Sequence, residues 1–374
     1  MPSLYVHVPF CETKCVYCDF YSVETRELEA AFLSRCVEEI DMRSVDVHTE
    51  ETFTTVFFGG GTPSLLEPDQ MGVLLAALRG GFRIAHDAEI TVECNPGTVT
   101  RATLEGYKAL GVNRLSFGVQ SFHDDDLRFL SRIHTAREAE EGIVLAQEAG
   151  FTNVNLDLMF SLPGQSPERW LHNLERARAL GTTHLSCYSL TVEKGTPLSG
   201  MVDRGEVRTA SEDSDASLYE LTMDTLADWG FAQYEVSNFA REGFACRHNL
   251  TYWRHEDYLG FGPSAHSTWK RRRSWNVSSI RAYTEHIAAG RSASSGGEDL
   301  SDEMLRTEHI PLRLRSEGIR FDIFKQMFGA DFLEENREVL RRFEAAGLLR
   351  IGDDAVTLTR KGYLVCDEIC ALLR

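Results

Sequence analysis

The chain has no stretch approaching the ~20 consecutive apolar residues of a membrane-spanning helix, so no span is expected. Its opening segment, Met1-Pro2-Ser3-Leu4-Tyr5-Val6-His7-Val8, lacks a basic region followed by an apolar core. No export leader is therefore expected. The expected location is the cytoplasm, with the inner face of a membrane as a place of peripheral contact. Positive charge is also short: 39 Lys and Arg face 57 Asp and Glu, a formal net charge of −18. Such a surface repels phosphate backbones and argues against a nucleic-acid partner. The run Lys270, Arg271, Arg272, Arg273 is the exception. It reads either as a solvated loop or as a docking spot for an anionic ligand or membrane surface. There is no internal repeat and no low-complexity segment, so a repeat array is not expected.

What is present is an ordinary globular composition, 43% hydrophobic and 26% charged over 374 residues. That length allows a large core and more than one domain. Nine cysteines are present. In a reducing compartment, clustered cysteines serve metal or redox chemistry more often than disulfides. Cys11, Cys15 and Cys18 fall within eight residues. Cys36, Cys94, Cys187, Cys246, Cys366 and Cys370 are dispersed and are expected to be small core residues.

Apolar, β-branched runs at residues 4–8, 54–58, 89–93, 114–119, 154–160 and 184–190 alternate with helical periodicity at 27–42, 69–79, 102–110, 136–149 and 167–180. Thr100 and Gly111 punctuate one helix, Ser166-Pro167 and Gly181 another. The alternation predicts an α/β fold with a six-stranded parallel sheet, either open and doubly wound or an incomplete barrel. After Leu190 the pattern changes. A helix is expected over 214–229 and a strand over 231–237. A Gly-, His- and aromatic-rich stretch follows over 238–275, and a polar linker over 292–298. Helices over 304–315, 321–328 and 332–346, a hairpin of 348–351 with 355–358, and a helix over 361–373 suggest a small winged-helix-like domain. The acidic charge favours a lid or docking role for it over DNA binding. The expected domains are 1–190, 191–291 and 299–374.

The sequence Cys11-Glu12-Thr13-Lys14-Cys15-Val16-Tyr17-Cys18 follows the first strand, where α/β folds place their chemistry. The spacing lets one loop wrap three thiolates around one face of an iron–sulfur cubane. Such a cluster usually takes four cysteines, so three leave one iron open. A zinc site is the alternative. It would need a fourth ligand, and His7 is the near candidate. Gly59-Gly60-Gly61-Thr62-Pro63 follows the second strand; it is either a tight turn or a backbone cradle for a ligand. No Gly-Lys-Ser/Thr follows, so it is not a Walker loop. Glu93 ends the third strand and can bond ribose hydroxyls or be a solvated strand end. Gln120 follows the fourth strand. Asp157 interrupts an apolar strand, which is costly unless it is paired; Arg132 is the candidate partner.

Together these residues resemble the radical S-adenosylmethionine superfamily, which carries the three-cysteine loop after the first strand of a partial (β/α)6 barrel. The resemblance implies a [4Fe–4S] cluster on Cys11, Cys15 and Cys18. It also implies S-adenosylmethionine held by Tyr5, Tyr17, Gly60, Gly61, Thr62, Glu93, Gln120, Arg132 and Asp157. From Tyr5 to Asn276 the chain is similar to one branch, which contains oxygen-independent coproporphyrinogen III dehydrogenase and a heme chaperone. The dehydrogenase has a fourth cysteine two positions after the third, where Phe20 stands here. It also has a longer segment ahead of its cluster loop. The ten residues before Cys11 are too few to fold over a substrate.

Cys246-Arg247-His248-Asn249-Leu250-Thr251-Tyr252-Trp253 contains H-N-x-x-Y-W, tied in the chaperones to heme. His248 is the implied axial ligand and His266 a weaker second one. Without the resemblance, His248 reads as a core histidine beside aromatics. Two departures stand out: Gly262-Pro263-Ser264-Ala265-His266 where relatives often have Gly-Ala-Gly-Ala-His, and Ser161 where Gly is common. The implied function is to bind heme and transfer it to acceptor hemoproteins such as respiratory enzymes, with a homodimer as a candidate state. The alternatives are radical decarboxylation of a porphyrinogen, or radical chemistry on heme itself.

Overall fold

The computed structural model describes residues 1–47 and 50–374. Six parallel strands lie side by side in chain order: β1 (Ser3–Val8), β2 (Phe53–Gly60), β3 (Ile84–Cys94), β4 (Arg114–Gln120), β5 (Asn153–Phe160) and β6 (His184–Ser189). The crossovers run through α1 (Glu29–Val47), α2 (Pro68–Gly81), α3 (Arg101–Ala109), α4 (Asp124–Phe129), α5 (Ala136–Glu148) and α6 (Pro167–Ala179). The strand order never reverses. Right-handed crossovers then keep every helix on one face, which gives a partial (β/α)6 barrel and not a doubly wound sheet. Local signals set the helix starts. The Thr100 side chain accepts from Thr103 N, and that of Ser166 from Arg169 N ahead of Pro167. β2 is buried along nearly its whole length, as a parallel strand covered on both faces should be.

The sheet continues past both edges of the barrel. β7 (Ala232–Gln233) and β8 (Asn238–Ala240) extend it beyond β6. β9 (Tyr258–Phe261) joins β1 in parallel, and β10 (His266–Trp269), β11 (Arg272–Asn276) and β12 (Ser294–Asp299) follow antiparallel, making twelve strands. Helices α7 (Pro197–Asp203), α8 (Glu212–Asp228), α9 (Arg247–Trp253) and α10 (Ile280–Ala288) lie among these strands in the chain.

Two expectations need correction. The polar stretch 292–298 is mostly edge strand β12, paired with β11. It shows no apolar alternation because it buries little on either face, and Gly296 lies against the Trp275 ring, where a Cβ would approach to 2.6 Å. The strand expected over 231–237 pairs only at Ala232–Gln233, and the partner β8 begins at Asn238.

A second apolar core, around Leu314, Phe324, Phe332, Leu340 and Val356, is separate from the barrel core. It is built by α11 (Asp302–Leu314), α12 (Phe321–Phe328), α13 (Phe332–Ala345) and the small sheet β13 (Ile319–Arg320), β14 (Leu349–Ile351) and β15 (Ala355–Leu358). The closing helix is broken into Arg360–Tyr363 and Cys366–Leu372, not continuous over 361–373. All nine cysteines are free, and Cys36, Cys94, Cys187, Cys246 and Cys366 are buried. Among the described residues, no helix is long and apolar enough to cross a membrane.

Candidate functional site

A cavity of about 480 Å³ opens at the carboxyl ends of the barrel strands. Cys11, Cys15, Cys18 and Tyr17 line it from the loop after β1. Gly60, Gly61 and Thr62 line it from the end of β2, with Glu93, Gln120, Arg132 and Asp157 from the next three strands and their loops. Parallel strands bring residues more than a hundred positions apart to one mouth.

The glycines are there for steric reasons. At Gly60 (φ +110°) a Cβ would lie 2.6 Å from the His7 ring, and at Gly61 it would lie 2.6 Å from the Phe10 carbonyl oxygen. The β2 turn thus presses against the segment that carries the cysteines. Two of the sulfurs already have donors: Thr62 Oγ1 donates to Cys11 Sγ at 3.5 Å and Arg132 Nη1 to Cys15 Sγ at 3.3 Å. Among the described residues no three His, Cys, Asp or Glu side chains converge closely enough to hold a single metal ion. Three thiols on one loop suit an iron–sulfur cluster. His7, the alternative fourth ligand, is spent elsewhere, with its Nε2 2.8 Å from the Tyr21 carbonyl and its Nδ1 3.2 Å from the Tyr5 hydroxyl.

The electrostatics deeper in the cavity follow from burial. Glu93 accepts from Gly60 N at 3.1 Å, and its carboxyl is pushed up to about 8, first by burial and then by Asp157. Asp157 accepts from Asn155 Nδ2 at 2.8 Å and is also raised, burial again being the largest cause. Arg132 does not hydrogen-bond Asp157 as expected; besides Cys15 it binds the Gly118 carbonyl at 2.5 Å. Arg132 and Asp157 share the cavity and interact through space. Buried Nε atoms of Arg132 and Arg114 have no hydrogen-bond partner among the described residues. Two acids, two guanidinium groups and unspent donors at one mouth suit a polar, zwitterionic ligand.

Arg114, Asn155, Ser186 and Asn249 also line the cavity and were not anticipated. Arg114 begins a strand, and only barrel closure turns it inward. Gln120 sits at φ +69°, a conformation unusual for a side chain this size, at the cavity wall.

Three expected residues lie elsewhere. Tyr5 is not on the cavity wall; its ring stacks on Phe57 at 6.2 Å. His266 is exposed on β10 against Trp275, 6.2 Å away. His248 is 1% exposed in α9, in contact with the barrel interior. Its Nδ1 is 2.6 Å from Thr55 Oγ1, its Nε2 is 2.9 Å from the Tyr252 hydroxyl, and its ring stacks on Phe57 at 4.9 Å. Glu89 fixes the start of this helix, accepting from Arg247 N and His248 N at 3.1 Å each. Burial, then Arg114, hold the His248 imidazole neutral, pulled down to about 3. Both ring nitrogens of His248 thus have hydrogen-bond partners in this conformation. Asn249, its neighbour, is the residue of the motif that reaches the cavity.

Residues 5–177 match the radical SAM superfamily model, and residues 300–365 match the HemN C-terminal domain. The structure superposes on coproporphyrinogen III oxidase (HemN) from Escherichia coli with a TM-score of 0.85 at 24% identity, covering 99% of this chain and 89% of that one. That comparison shows the fold; the match of residues 5–177 to the superfamily model, with three cysteines at the mouth of a partial (β/α)6 barrel, makes the chain a radical SAM protein, a class that implies a [4Fe–4S] cluster and S-adenosylmethionine. The chain is 34% identical to heme chaperone HemW of Bacillus subtilis over 99% of this chain and 98% of that protein. It is 36% identical to heme chaperone HemW of Mycobacterium tuberculosis over 99% and 94%. The chain belongs to the HemW family.

Proposed function

We propose that this chain is a heme chaperone, which binds heme and passes it to acceptor hemoproteins such as respiratory enzymes. The observation that carries the reading is full-length similarity to HemW proteins, together with Phe20 at the position of the dehydrogenase's fourth cysteine. Phe20 is 64% exposed at the cavity rim. Cys11, Cys15 and Cys18 would hold the cluster. Tyr17, Gly60, Gly61, Thr62, Glu93, Gln120, Arg132 and Asp157 would hold S-adenosylmethionine. When bound, the cluster supplies an electron at its open iron. The chain's own part is to bring the cationic cofactor against Glu93 and Asp157, to offer backbone groups at Gly60 and Gly61, and to position two of the cysteine sulfurs through Thr62 and Arg132. A homodimer that docks at the inner face of a membrane belongs to the same reading.

The test is anaerobic reconstitution followed by coproporphyrinogen III or heme, each with a reductant. Stoichiometric heme binding without turnover is the expected result. Decarboxylated porphyrinogen would identify the dehydrogenase instead, and consumed heme a radical enzyme acting on it.

A further inference from the structure

Gln120 ends β4 in a conformation that needs support. Its φ is +69°, and Ser121 N donates across it to the Val119 carbonyl at 2.9 Å. A hydrogen bond spanning one residue of positive φ is the rarer, strained kind of γ-turn. Such strain persists only where the surroundings hold it, and it collects at ligand sites. Gln120 lines the cavity, and its carboxamide makes no hydrogen bond among the described residues, which leaves it for a ligand.

The residues around the turn are pinned one by one. Arg132 Nη2 donates to the Gly118 carbonyl at 2.5 Å, Ser121 Oγ to Asp126 at 2.7 Å, and Phe122 N to Asn173 Oδ1 at 2.7 Å. The Val119 carbonyl, which closes the turn, is met by one side chain among the described residues. That side chain is His134, 3% exposed, whose Nε2 lies 3.2 Å from the carbonyl oxygen. Its Nδ1 is 3.1 Å from Oδ1 of Asn95, which lines the same cavity just past β3.

Both partners of His134 are acceptors. Asn95 Oδ1 also accepts from Gly97 N at 3.1 Å, which fixes it as the oxygen of its carboxamide. A neutral imidazole has one N–H and can serve only one of the two. Burial, then Arg132, keep this ring neutral, pulled down to about 4. Asn95 has support of its own, since its backbone N donates to Ser64 Oγ at 3.0 Å. The strained turn has no second side-chain donor, so the proton serves it best at Nε2.

We infer that His134 is a positioning residue for the S-adenosylmethionine site: its Nε2–H holds the Val119 carbonyl and so fixes the turn that presents Gln120. The inference rests on the reading above that Gln120 meets that cofactor. The segment 132–134 then supports the end of β4 twice, through Gly118 and through Val119, and His134 acts on the cofactor without touching it.

The test is calorimetric titration of the cluster-reconstituted, full-length protein with S-adenosylmethionine. His134→Gln places an amide N–H near the Nε2 position. His134→Asn places one near Nδ1 and leaves Val119 without a side-chain donor. Affinity is expected within about twofold of the wild type in His134→Gln and about fivefold or more weaker in His134→Asn, the size of one hydrogen bond. In a Gln120→Ala background the difference between the two should vanish, because it runs through Gln120; a general loss of packing would persist there. Nitrogen-15 shifts of His134 in the reconstituted wild type read the tautomer directly, without any variant having to fold, and a proton on Nε2 is expected. Equal affinities in the two variants, weaker binding in the Gln variant than in the Asn variant, a difference that survives Gln120→Ala, or a proton on Nδ1 each overturn the inference. A Gln120→Ala protein that binds as tightly as the wild type, or a wild type that does not bind the cofactor, would instead defeat the reading of the cofactor site, and this inference with it.

Discussion

The mouth of the barrel and its floor are built from similar polar residues and do opposite things with them. At the mouth, Arg132 Nε and Arg114 Nε are buried without hydrogen-bond partners among the described residues, and Glu93 faces Asp157 with one backbone donor. At the floor, Thr55, His248, Tyr252 and Glu89 hydrogen-bond one another or the start of α9. A ligand site keeps donors and acceptors in reserve, and a structural plug spends them. His248, to which the family motif led, has both ring nitrogens hydrogen-bonded within the floor.

The sharpest way to break this contrast is at the cluster loop. Cys11→Ala, Cys15→Ala and Cys18→Ala are each expected to abolish retained iron and sulfide after anaerobic reconstitution. Their circular dichroism should match the wild type, since these side chains sit at the mouth and outside the apolar core. Iron retained at wild-type stoichiometry in any of the three would remove that cysteine from the ligand set.

Next in size is Glu93→Gln, which keeps the acceptor for Gly60 N and removes the carboxyl's ability to ionise against a cationic ligand. S-adenosylmethionine affinity, by calorimetry, should fall by about tenfold or more, as expected for loss of a charge-assisted contact (~1.5–3 kcal/mol). The mouth and the floor should also respond oppositely to pH. Glu93 binds a proton in the ligand-free fold, its carboxyl raised from 4.5 to about 8. Its contribution to stability is full at low pH and is lost as pH rises through that window, because the unfolded chain has already released the proton. His248, lowered from 6.5 to about 3, stays neutral in the fold, so its contribution is lost as pH falls through that lower window. Urea midpoints in Glu93→Gln should lose the decline that the wild type shows between pH 4.5 and about 8; an unaltered profile would place the proton elsewhere.

His248→Ala should cost about 3 kcal/mol, from a cavity under Phe57 and unpaired Thr55 and Tyr252 hydroxyls, while leaving the cluster intact. A variant as stable as the wild type would mean the floor is not packed as described. The smallest effect concerns Ser264. It stands at φ +64°, where relatives often have glycine, and Ser264→Gly should raise stability by no more than about 1 kcal/mol. Destabilisation would show that the hydroxyl has a role that backbone conformation does not explain.

Much of the barrel was legible because its signals are local. Six apolar runs, capped helices at Thr100 and Ser166, and the three-cysteine loop are read within a few residues of one another. What failed was of two kinds. The edge strand β12 carries no alternation because edges bury little, so its polar run 292–298 resembled a linker. Arg114, Asn155 and Asn249 reach the cavity only because the strands curl and α9 reaches the barrel interior, and no spacing encodes that.

The sequence by itself determined the six parallel strands, the three-cysteine loop and the family, since these rest on periodicity and short motifs. Only the tertiary structure decided which polar groups are spent and which are in reserve. It put both nitrogens of His248 to work in the floor and turned Arg132 to Cys15 and the Gly118 carbonyl, off a hydrogen bond with Asp157. Hydrogen-bond saturation is a property of three-dimensional neighbours, and residues distant in the chain supply nearly all of them.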